Sequence, residues 1–65
     1  MMVTPNQIAQ AIVGHMDGTW DDDMEAYVEA AAEGNVITVF TESDSPDGGG
    51  RILTGGFTIT VLEAT

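Results

Sequence analysis

The 65-residue chain contains no cysteine and no lysine, a single arginine, a single histidine and few aromatics. Without cysteine, neither a disulfide nor a thiolate zinc site can staple the fold, and one histidine cannot build a metal cluster. No cofactor or metal ligand set is therefore expected. The longest apolar runs are a few residues, and "MMVTPNQ" has no basic flank or hydrophobic core of a leader. That pattern speaks against a signal peptide or a membrane-spanning helix, and a cytoplasmic location is expected.

What the chain has in excess is negative charge. Eleven acids stand against Arg51 alone, for a formal charge of −10. Direct attraction to nucleic acid or to an anionic membrane is thus unfavourable, and a basic protein surface is the natural partner. The composition is 43% hydrophobic, enough to argue for an ordered core despite the charge. At this length one compact α+β domain, residues 1–65, is expected, with modest net stability.

The stretch "TPNQIAQAIVGHM" carries a strong helix start: Thr4 as N-cap, Pro5 at the first helical position and Gln7 completing a capping box. Ile8, Ile12 and Met16 give it an apolar face, and Asp17-Gly18 ends it. A second helix is expected over "WDDDMEAYVEAAAE", capped by Thr19 or Asp21 and closed by Gly34-Asn35. Trp20, Met24, Tyr27, Val28 and Ala31 would form its core side, and Asp22, Glu25, Glu29 and Glu33 an acidic stripe on another face.

From Val36 the period changes to that of a strand, "VITVFTE", with Val36, Thr38 and Phe40 opposed to Ile37, Val39 and Thr41. The loop "SDSPDGGG" follows, and then "RILTGGFTITVLE". Gly55-Gly56 reads there as a tight hairpin turn between two strands, setting Thr54 against Phe57 and Ile52 against Ile59. The competing reading keeps residues 51–63 as one strand bent at a glycine bulge. The expected fold is α+β, with two helices packed on one face of a small antiparallel sheet, ααβββ or, with the bulge, ααββ.

Candidate chemistry is sparse. His15 has no serine or cysteine nucleophile nearby, and helical spacing points Asp17 away from it, so it reads as a histidine suited to a helix C-terminus. Asp17, Asp21 and Asp23 alternate as in a calcium-binding EF-hand loop, but the sixth and twelfth positions are Asp22 and Val28, where that loop needs glycine and glutamate. "GGGR" lacks the residues of a phosphate-binding loop. A non-enzymatic role is expected.

The acids are the remaining signal. On a helix, like charges three or four apart would cost roughly 0.2–0.5 kcal/mol per pair, on the order of 1–2 kcal/mol for four such pairs. Asp21, Asp22 and Asp23 would be offset by the positive end of the helix dipole, whereas Glu25, Glu29 and Glu33 would not. With Glu42, Asp44 and Asp47 on the loop, these nine acids form the expected partner-binding set. Carboxylates four apart on a helix repeat about every 6 Å, against about 3.4 Å for phosphates along one DNA strand, so one row is a sparse copy needing a second from the loop or from a twin subunit.

In length, in charge and in its lack of catalytic motifs, the chain resembles the small acidic proteins of phages and mobile elements, especially anti-CRISPR proteins that act as DNA mimics. The likeness rests on "TWDDDMEAYVEAAAE", "TESDSPDGGG" and the lone Arg51. It is one of class, and no functional residue is carried over by position. It implies an inhibitor that occupies the basic DNA-binding channel of a protein, a Cas subunit foremost, as monomer or homodimer and without binding nucleic acid itself. The alternatives are a halophilic domain whose acids serve hydration and solubility, and a phage accessory protein that joins an assembly through strand edges.

Overall fold

A computed structural model describes residues 2–64. One helix, α1 (Pro5–Met16), precedes four strands: β1 (Thr19–Asp21), β2 (Ala26–Glu33), β3 (Val36–Asp44) and β4 (Arg51–Thr60). The strands form one antiparallel sheet in the order β1-β2-β3-β4, a plain meander. The class is α+β, but the expected second helix is replaced by β1, a four-residue turn and β2.

Helix α1 forms as its sequence specifies. Thr4 Oγ1 accepts from the Gln7 backbone, the Gln7 side chain accepts from the Thr4 backbone, and Pro5 occupies the first turn. After Asp17, Gly18 takes a positive φ of 77° that glycine alone adopts freely.

Residues 19–33 become strands because their pattern also fits a period of two. Ala26, Val28 and Ala30 are buried and Ala32 is half-buried, while Tyr27, Glu29, Ala31 and Glu33 point to the opposite, outer face. Gly34-Asn35 is not a helix cap. It is the two-residue turn of the β2–β3 hairpin, closed by the Glu33–Val36 pair, and Gly34 has φ 62° as a turn with glycine in first place requires. Pairing with the β-branched β3 outweighs the helix propensity of alanine and glutamate. It also dissolves the acidic stripe, since residues four apart on a strand lie about 13 Å apart.

The Gly55-Gly56 turn is likewise overturned. Both glycines lie inside β4, opposite Thr41 and Phe40, and the chain runs straight through them. The register shifts once between Thr41 and Glu42, leaving Thr54 as the extra residue, its Oγ1 2.9 Å from that of Thr41. The glycines leave room for rings: a Cβ on Gly55 would lie 2.7 Å from the Phe57 ring, and one on Gly56 3.4 Å from that of Phe40.

The helix packs over β2 and β3, and the core is Ala9, Val28, Ala30, Ile37 and Val39, with Ile12, Val13 and Met16 against it. Trp20 and Met24, expected in the core, are exposed instead. No helix of the described residues is long and apolar enough to cross a membrane.

Candidate functional site

The fold gathers acids that the helical reading had spread along a stripe. The β1–β2 turn (22–25) and the β3–β4 loop (45–50) lie at the same end of the sheet, and Ser43 near the end of β3 donates its hydroxyl to the Glu25 carbonyl of the turn at 2.9 Å. Asp21, Asp22, Asp23, Glu25, Glu42, Asp44 and Asp47 therefore sit at or near one end, seven of the eleven acids. Glu33 lies at the other end, beside the Gly34-Asn35 turn, and Glu29 lies mid-sheet on the outer face.

These acids divide by what they hold. Asp21 Oδ1 accepts from the Met24 backbone at 3.0 Å, closing the turn, and Asp47 accepts from the Ser45 hydroxyl and the Gly49 backbone, closing the loop. The Asp47 carboxyl is held below its usual range first by the Ser45 hydrogen bond and then by that from Gly49. Asp17, outside the expected set, accepts from the Ala30 backbone at 2.9 Å and covers part of the β2 edge. Asp22 accepts from the Trp20 indole at 2.7 Å, whereas Asp23 is exposed in the turn. Glu25 stands at φ 51°, the one positive value for a non-glycine among the described residues.

Between the β1–β2 turn and the end of β3 opens a cleft of about 470 Å³ lined by Trp20, Asp22, Met24, Glu25, Ser43 and Asp44. Trp20 is 45% and Met24 53% exposed. An aromatic and a thioether surrounded by three carboxylates suits the flat face and donors of a guanidinium, or the stem and head of a lysine.

Beside the cleft, the outer face carries a second cluster. Trp20 and Tyr27 are cross-strand partners with ring centroids 4.7 Å apart at 65°, and the Arg51 guanidinium carbon lies 3.8 Å from the Tyr27 centroid. Glu42 pairs with Tyr27 and so sits diagonally next to Glu29. A hydrogen bond with Glu42, then its charge, then partial desolvation and the charge of Asp17 raise the Glu29 pKa, and Arg51 opposes the rise.

The helical pattern concealed Trp20, Met24, Tyr27 and Arg51 as members of this surface, by assigning the first three to a core. The signal that finds them is the alternation from Ala26 together with Gly-Asn as a hairpin dipeptide. His15 lies exposed on the last turn of α1, away from these groups. Among the described residues, no group of three or more His, Asp or Glu side chains could hold a metal ion. No protein-family model, curated protein or solved structure matches the chain.

Proposed function

We propose that this protein is a non-enzymatic binding module whose acidic end occupies a basic, nucleic-acid-binding surface of another protein and keeps the nucleic acid out. The observation that carries this reading is the carboxylate-rimmed cleft of Trp20, Met24, Asp22, Glu25 and Asp44 at the end where most of the acids collect. Glu42, Asp44 and Asp47 on β3 and its loop add their charge to that of the β1–β2 turn at the same end. The class resemblance makes a CRISPR-Cas effector the first partner to test.

The test is binding to purified effectors free of DNA, followed by competition with target duplex. Carboxylate–guanidinium contacts formed in place of phosphate contacts weaken with salt, so affinity should fall at least about tenfold between about 50 mM and about 200 mM salt. Duplex should displace the protein. Salt-indifferent binding, or a ternary complex with DNA in its channel, would contradict the proposal.

A second reading, surface acidity that serves hydration in a salt-rich cell, draws on Asp17, Glu33 and Glu63, which lie outside the acidic end. It predicts a fold that gains stability steeply toward molar salt and loosens without it. The binding module should instead be folded at low salt, where it binds best.

A further inference from the structure

The helix covers β2 and β3 but leaves the β4 side of the same sheet face bare. Phe57, Ile59 and Ile52 stand there at 58%, 39% and 47% exposure, and Leu53, paired with Glu42, is exposed on the outer face of the same strand. β4 is also an open edge of ten residues, whose outward N–H and C=O groups have no strand beyond them among the described residues. The opposite edge differs: β1 is three residues long and runs into the aspartate triplet, and Asp17 caps the β2 backbone next to it.

We infer that β4 is a self-association edge, pairing antiparallel with β4 of a second copy about a twofold axis to make a continuous eight-stranded sheet. Three further observations support that occupant. First, area: a monomer of 6.8 kDa is expected to expose about 3,950 Å², whereas this chain exposes 4793 Å². The difference is on the order of the 800 Å² that each partner contributes to a standard interface. The chain is also elongated, 50 × 18 × 16 Å, with a radius of gyration of 14.1 Å against about 10.7 Å for a compact chain of this length.

Second, charge: residues 51–60 contain no acid, so two copies carrying −10 each meet with least repulsion along this strand. Antiparallel pairing also sends the acidic ends, which lie at the Arg51 end of β4, in opposite directions. Third, register: an axis through Phe57 pairs residues 55–59 of one copy with 59–55 of the other, so over this stretch, beyond the Thr54 bulge, the helix-side faces of both copies coincide. Phe57 then stands opposite its counterpart and Ile59 opposite Gly55 of the second copy, and the interface is isologous and closed.

Sedimentation equilibrium of the whole protein from micromolar to submillimolar concentration tests this, with hydrogen exchange at both extremes. The expected result is a monomer–dimer equilibrium that tightens as salt screens the like charges, with residues 51–60 slowed in the dimer and released on dilution. Phe57→Glu should weaken dimerisation at least tenfold, while Ala31→Glu, an equal charge change on the exposed face of β2, should leave it within about twofold of Ala31→Gln. Leu53→Glu, at a more exposed site, replaces Phe57→Glu if circular dichroism shows the latter unfolded. A monomer at every concentration overturns the inference, as does a dimer whose β4 amides exchange at the monomer's rate. The opposite salt dependence separates this interface from the basic partner surface, so either can fail alone.

Discussion

At position 25 a glutamate occupies left-handed backbone, where a side chain costs roughly 1–2 kcal/mol relative to glycine's freedom. Part of that cost returns through glycine's larger unfolded-state entropy, so Glu25→Gly should raise stability by several tenths to about 1 kcal/mol in urea unfolding. The same variant removes a carboxylate from the cleft and should weaken partner binding, so stability and binding move in opposite directions. Glu29 offers a test by pH. Its raised pKa means that the folded protein holds this proton more tightly than the unfolded chain, whose ordinary value is 4.5. The resulting stabilisation is complete below that value and is lost as pH rises through the raised one. Asp47 behaves oppositely: its contribution is present above 3.8 and disappears as pH falls through its lowered value. Because Glu42 is the leading cause, Glu42→Gln should bring Glu29 down to or below the usual range in a carboxyl-carbon NMR titration. An unmoved Glu29 would show that Glu42 is not what raises it.

Among the elements, α1 was fully legible, because capping is local: Thr4, Pro5 and Gln7 satisfy one another within a single turn. β3 was legible too, and Ile37, Val39 and Thr41 face the core opposite Val36, Thr38 and Phe40 as its alternation requires. The stretch Trp20–Glu33 was not, because its side chains fit both periods and its alanines and glutamates favour a helix locally. The decision came from Gly34-Asn35 and from pairing with β3, which local propensity does not contain. β4 misled for a related reason, since Gly55-Gly56 has hairpin chemistry, yet its glycines serve the Phe40 and Phe57 rings within one strand. A Cβ on Gly55 would also lie 2.9 Å from Oγ1 of the buried Thr41. Gly55→Ala should therefore destabilise by about 1–3 kcal/mol in chemical denaturation, as overpacking does. If the glycines formed a turn away from Phe57 and Thr41, alanine there would meet neither group.

For the whole molecule, the excess of acids is legible in the composition, whereas their grouping depends on the fold. Seven carboxylates meet at one end because two turns, distant in sequence, share it, and a search for helical spacing could not reveal that. Glu25, Glu29 and Glu33 were expected in one row with Asp22, and the sheet separates them: Glu25 lines the cleft, Glu29 lies mid-sheet diagonal to Glu42, and Glu33 stands at the far end. Place and total charge can therefore be separated by experiment. The most direct measurement compares two double variants of equal net charge for affinity to the same effector at low salt. Asp22→Lys with Glu25→Lys alters the acidic end, and Glu33→Lys with Glu63→Lys alters acids away from it. The account predicts a loss of at least about a hundredfold for the first pair, about 1.4 kcal/mol for each tenfold, and less than about tenfold for the second. Equal losses would contradict it, leaving the acids as diffuse charge without a site.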